Sequence, residues 1–209
     1  MNRLALRGAD LLVHPLAAAV VEVIVERGYG EAEVEEIVAR AGIDREEFDS
    51  LFADKSDASL RILESHIEDL RRRIWRAYSV SPCWPENLRA AAYEAVAWTE
   101  DHPYAYRFGM WRVIEAGEMA RLRREELFEW CAGLIDEGRA VSANPDAVPA
   151  ATPVIVVGAV AEALTRHASG EFERPLAELV PELMYWAVRP YLGDDAARSE
   201  LERSEAPGC

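Results

Sequence analysis

The chain is short of positive charge, and of lysine above all. It has 23 Lys and Arg against 38 Asp and Glu in 209 residues, for a net charge of −15. Lys55 is the only lysine. A nucleic-acid footprint is normally basic, so composition argues against tight binding to generic duplex. Cysteine is also scarce. Cys83, Cys131 and Cys209 are odd in number and show no metal or redox spacing. A reduced, cytoplasmic compartment is the simplest reading. No stretch reaches the roughly 18–20 apolar residues that a membrane helix needs. Asp10, His14 and Pro15 interrupt the only early apolar run, so no secretory signal is expected.

Motifs that carry chemistry are missing too. There is no HExxH, no GxSxG, no phosphate-binding glycine loop and no cysteine nucleophile with a marked partner. His102 and His167 are potential bases. However, Glu100 and Asp101 are chain neighbours of His102 that point elsewhere on a helix, and Glu162 is five residues from His167. The four histidines are scattered. No catalytic residue, metal site or cofactor is expected, and an enzyme is disfavoured.

What the chain does have is helical periodicity. Half of its residues are hydrophobic, enough for a folded core. No strand pattern or internal repeat is visible, so the fold class is all-α. Pro15 opens a helix with an apolar stripe at Leu16, Ala19, Val20, Val23 and Ile24, closed by Gly28. Residues 28–55 then read as two short helices around a tight turn. Val34, Ile37, Val38 and Ala41 stripe the first, with Gly30 as its expected N-cap and Glu33 as a capping partner. Gly42 suits the left-handed residue at its end. Asp44 caps the second helix with Glu47 three residues on, and Phe48 and Phe52 pin it to a core. Helix, glycine turn and helix together make a helix-turn-helix.

That segment resembles the DNA-binding part of the TetR family of transcriptional regulators. The match runs through Gly28-Tyr29, Val34, Ile37, Ala39, Ala41-Gly42-Ile43, Phe48, Phe52 and Lys55, about a quarter of the chain. The resemblance implies a TetR-like fold, with a helix-turn-helix domain over 1–55 and a helical ligand-binding and dimerisation domain over 56–209. It also implies a homodimer, a small apolar or aromatic ligand, and DNA contacts from Arg45 and from Lys55, where the family places a phosphate-contacting lysine. This chain departs from the family pattern on the helix that should enter the major groove. Ala32 and Glu33 before the first helix of the motif, and Glu46 and Glu47 on the second, stand where the family usually has small or hydroxyl residues, and Asp49 where it usually has an aromatic. From Asp44 to Asp49 there are four acids and one base, and residues 1–60 carry six bases against thirteen acids. Duplex binding is therefore expected to be weak. Three functions stay open. The first is a ligand-responsive regulator. The second is a TetR-like protein that has lost DNA binding and works through a ligand or a protein partner. The third is an enzyme in the same pocket.

The remainder of the chain reads as further helices. Arg3 and Arg7 lie in an N-terminal arm expected to fray. Ser56 is the expected cap of a long helix to about Tyr78, whose Arg71, Arg72, Arg73 and Arg76 should pair locally with Glu64, Glu68 and Asp69. Breaks fall at residues 79–86, at His102-Pro103, at Gly117 and over 142–153. The last two helices, over about 154–192, have apolar faces wider than one chain needs and are the expected dimer contact. Pro190 and Gly193 should end the last helix and leave a mobile polar tail. Aromatics gather beside isolated polar groups on the middle helices. Trp98, His102, Tyr106, Arg107, Trp111, Trp130 and Arg166 are the candidate ligand-binding residues.

Overall fold

The structure, a computed structural model, describes residues 8–171 and 174–203. Arg3 and Arg7 of the expected N-terminal arm lie outside the described residues. Ten α-helices follow one another, with no strand among the described residues. They are α1 (Ala9–Leu12), α2 (Pro15–Arg27), α3 (Val34–Ala41), α4 (Arg45–Leu51), α5 (Lys55–Tyr78), α6 (Trp84–Asp101), α7 (Pro103–Arg107), α8 (Glu118–Asp136), α9 (Thr152–Ala168) and α10 (Val180–Leu201). The expected helix over 104–116 is not uniform. α7 passes into a π-helical turn at Phe108–Arg112 and a 3₁₀ turn at Val113–Ala116.

The chain divides into two compact units. One comprises Met1–Leu70 and His102–Glu125, the other Arg71–Asp101 and Glu126–Cys209. Helices α5 and α8 each contribute to both units.

The first unit is built around α2, most of which is buried because its alanines and valines present apolar surface on nearly every side. Leu16, Val20, Val23 and Ile24 meet Ile37 of α3, Phe48 and Phe52, Ile62 and Leu63 of α5, and Phe108 and Val113. Three capping details differ from expectation. Glu33, not Gly30, is the residue before α3, and its side chain makes no cap bond. Asp54 rather than Ser56 caps α5, its Oδ1 accepting from the Asp57 amide at 2.8 Å. Ser56 instead donates to the carbonyl of Ala116. A carboxylate both accepts the amide bond and suits the positive end of a helix, which explains the preference for Asp54.

The second unit closes around the end of α8. Trp84 Nε1 and the Tyr78 hydroxyl both donate to the Leu134 carbonyl, at 3.0 and 3.2 Å. The Trp84 and Tyr191 rings meet edge to face at 5.2 Å, with Gly138 beneath them. The C-terminal segment corrects the expectation of a mobile tail. α10 runs past Pro190 and bends at Gly193, whose φ of 85° only glycine adopts readily. It then continues to Leu201, burying Tyr191, Ala197 and Glu200. Residues 204–209 lie outside the described residues. Arg89 of α6, 3% exposed, grips Glu200 with Nε at 2.9 Å and Nη2 at 2.7 Å. Arg203 bonds Glu86. A polar segment is ordered here by a buried charge pair that no spacing rule relates, since its members are 111 positions apart.

Candidate functional site

The helix-turn-helix forms as its residues dictate. Gly42 takes φ 71°, ψ 28° and ends α3, with the Ile43 amide returning to the Val38 carbonyl. Asp44 Oδ1 accepts from the Glu47 amide at 2.8 Å and starts α4. Phe48 and Phe52 are fully buried with ring centroids 5.6 Å apart, which fixes the rotation of α4. That rotation leaves Arg45, Glu46, Glu47 and Asp49 exposed.

The electrostatics of this surface are decided by pairing. Arg45 donates from Nε to Asp49 at 2.9 Å and from Nη1 to Glu35 at 2.7 Å. These carboxylates, Asp49 first, raise its already high pKa. Arg40 lies 2.8 Å from Glu26, with Glu22 and Glu36 nearby, and Arg27 donates to Glu36. Lys55 Nζ donates to the backbone carbonyls of Tyr29 and Ala32, each at 2.6 Å, and sits 4.7 Å from the Tyr29 ring centroid. Every basic side chain described within the first sixty residues thus has intramolecular partners. Glu31, Glu33 and Glu46 are exposed and have no cationic partner among the described residues.

The candidate ligand residues fall in both units. In the first, Tyr106 is buried, His102 and Trp111 are partly buried, and the Arg107 guanidinium lies 5.9 Å from the Tyr104 ring. Arg107 Nε is buried without a hydrogen-bond partner. In the second, Trp98 is buried and Trp130 carries the Arg71 guanidinium 4.9 Å from its centroid. Arg166 is exposed in a 2.8 Å ion pair with Glu162, four residues earlier on the same helix. Among the described residues no three His, Cys, Asp or Glu side chains are grouped to hold a metal ion.

Sequence reasoning missed His66. It is partly buried on α5, and loss of hydration, helped by the positive charge of His102 and opposed by Asp69, lowers its pKa to about 4. Its signal was its place one residue off the apolar seam of α5. Two long-range pairs join the arginine run's surroundings. Glu64 goes to Arg123 at 2.8 Å, and Arg73 approaches Glu94 at 3.9 Å.

No protein-family profile and no curated protein matches this chain. Solved structures do. The fatty acid degradation regulator FadR from Bacillus halodurans superposes with a TM-score of 0.70 at 16% identity, covering 83% of this chain and 96% of its own. FadR from Bacillus subtilis, solved with stearoyl-CoA, gives 0.71 at 16%, covering 84% and 97%. A TetR-like transcriptional regulator from Rhodococcus sp. RHA1 gives 0.66 at 20%, covering 84% and 92%. The chain therefore has the all-α fold of the TetR-family transcriptional regulators. Among the described residues no helix is long and apolar enough to cross a membrane.

Proposed function

We propose that the chain is a homodimeric, ligand-responsive transcriptional regulator of TetR type whose helix-turn-helix holds generic duplex DNA only weakly. The observation that carries this is the combination at α3 and α4. The reading scaffold is formed with its turn, cap and buried phenylalanines, while Arg27, Arg40, Arg45 and Lys55 are all committed to internal acceptors. Phosphate neutralisation supplies most non-specific affinity, and an arginine already paired with two carboxylates brings little net charge to a phosphate. A cognate site is then selected by base contacts more than by the backbone.

The dimer reading is supported by the exposed Val154 and Ile155 of α9 and Trp186 of α10, which are 65, 67 and 58% exposed. An apolar or aromatic ligand is supported within the first unit by Tyr106 and Trp111, and by the buried unpartnered Nε of Arg107, which invites an acceptor. The stearoyl-CoA held by the Bacillus subtilis protein supports an apolar chain as part of such a ligand. The commitment of every described base near α4 favours a second reading, that of a protein of this fold acting without DNA.

Fluorescence anisotropy decides between them, using random duplex and duplex from the flanks of the chain's own gene. The regulator should bind the flanking duplex and barely bind the random one at about 0.15 M salt. The triple change Glu46→Gly, Glu47→Thr, Asp49→Tyr removes three acids and leaves Arg45 with Glu35 alone of its two carboxylate partners. Random-duplex affinity should then rise at least about tenfold. Tight random-duplex binding by the unaltered chain would overturn the charge argument. Absence of binding to any flanking duplex would leave the second reading standing.

A further inference from the structure

Between His102 and Ile114 the chain carries two arginines and no acid, within a protein of net charge −15. The stretch lies wholly in the first unit. Phe108, fully buried, turns one side of it into the core beside α2. Arg107 next to it is half-buried, and its Nε is shut off from solvent. Nothing among the described residues accepts a hydrogen bond from that nitrogen, and no carboxylate among them pairs with the guanidinium. The group Arg107 does meet is the Tyr104 ring, whose centroid is 5.9 Å away. A ring face attracts the cation without satisfying its N–H edges. Arg45, Arg89 and Arg139, by contrast, each donate to a carboxylate of this chain. Buried polar atoms nearly always have an acceptor or donor opposite, so an orphan of this kind marks a place for an acceptor that the chain does not supply.

The neighbours on the same helix face define what brings that acceptor. Tyr104 lies three residues before Arg107 and Trp111 four after it. Four residues make close to one turn in an α-helix and in a π-helix alike, so the π-helical turn at Phe108–Arg112 keeps Trp111 on this face. Tyr104 is 43% exposed and Trp111 partly buried, so the stripe opens to solvent at its Tyr104 end. A guanidinium between two aromatic side chains offers a planar fork for a carboxylate, and apolar surface for the body attached to it. Resting on the ligand-responsive reading above, we propose that this stripe takes an apolar carboxylic acid, with its carboxylate on Arg107 and its body against Tyr104 and Trp111. A neutral ligand of the same shape leaves the guanidinium uncompensated. One guanidinium suits the single charge of a carboxylate better than the nearly double charge of a phosphate monoester.

Isothermal titration of the full chain with naphthoate and with decanoate, each beside its neutral amide, tests the proposal. At least one acid should bind saturably, and which one does so tells an aromatic body from an alkyl chain. The bound acid should exceed its amide in affinity by at least about tenfold, the worth of a charge-assisted pair. Arg107→Gln should remove that preference and leave the amide's affinity as it was. Arg107→Lys keeps the charge without the fork and should retain part of the preference. The quantity read is the ratio of acid to amide within each variant, so a general loss of folded protein does not imitate the result. Amides that bind as tightly as acids would overturn the carboxylate assignment and leave the regulator reading, with an apolar ligand, in place. An acid preference that survives Arg107→Gln, or tighter binding of naphthyl phosphate than of naphthoate, also overturns it. So does the absence of binding by acids and amides alike up to millimolar concentration. The regulator reading is then judged by flanking-duplex binding, which this titration does not enter.

Discussion

Replacing Lys55 tests whether the only lysine holds the helix-turn-helix together or reaches toward DNA. Its ammonium donates two hydrogen bonds of 2.6 Å to the carbonyls of Tyr29 and Ala32, on the turn between α2 and α3, and lies against the Tyr29 ring. Lys55 opens α5, so this one side chain ties the start of α5 to the loop that sets α3. A hydrogen bond to a charged group contributes about 1.5–3 kcal/mol, and a partly desolvated cation–π contact about 0.5–2 kcal/mol. The terms do not add fully, because water reaches the half-buried carbonyls once the ammonium is gone. Lys55→Ala should therefore cost about 2–4 kcal/mol, a large share of the 5–15 kcal/mol typical of a folded protein. Lys55→Met keeps the stem over the Tyr29 ring and should cost less. Urea unfolding followed by circular dichroism measures the loss. The salt dependence of flanking-duplex binding, measured on the same variants, should keep its slope. A loss under about 0.5 kcal/mol, or a slope reduced by about one phosphate contact, would refute the reasoning and return Lys55 to the DNA surface.

Three further outcomes are expected. His66 is neutral when folded, with its pKa lowered from 6.5 to about 4, so the unfolded chain binds the extra proton. Stability from this group is complete above about pH 6.5 and is lost as pH falls toward 4, by on the order of 3 kcal/mol. Urea midpoints from pH 7.5 to 4 should fall more steeply for the unaltered chain than for His66→Leu, and parallel curves would contradict the assignment. Glu200→Ala strands the buried Arg89, which keeps only Glu86 at 2.6 Å. It should destabilise by about 3 kcal/mol, and Arg89→Met with Glu200→Leu should recover much of that in the same denaturation assay. Gly138→Ala places a Cβ 2.6 Å from the Trp84 ring and 2.8 Å from Tyr191. Overpacking of this kind costs about 1–3 kcal/mol, and a midpoint equal to that of the unaltered chain would count against the packing described.

Much of the helix-turn-helix was legible because its signals are local. The apolar spacing of Ile37 and Val38, the glycine turn at Gly42, the Asp44 cap and the Phe48–Phe52 pair each act within one or two helical turns. Pro15 and Gly28 bound α2 for the same reason. Caps were less certain where two acceptors compete: Asp54 and Ser56 both stand at the start of α5, and only the path of the chain gives the bond to Asp54. The all-α class followed from periodicity alone.

Tertiary structure decided the remainder, because the deciding partners are far apart in the chain. Composition counts the acids near α4, but only the fold shows Arg45 closed between Asp49 and Glu35, and Lys55 turned back to two carbonyls. Residues 192–203 read as a polar tail until Arg89 supplies a buried partner for Glu200. The π-helical turn at Phe108–Arg112 leaves no trace in apolar spacing, and in the fold its Phe108 packs in the same core as α2 and Leu63. Spacing offers Glu64 the arginines of its own helix, yet it meets Arg123, and Arg73 also approaches Glu94. Sequence sets which charges exist and which helices form. Packing sets which charges pair and which are buried, because both depend on neighbours that only the folded chain brings within hydrogen-bond reach.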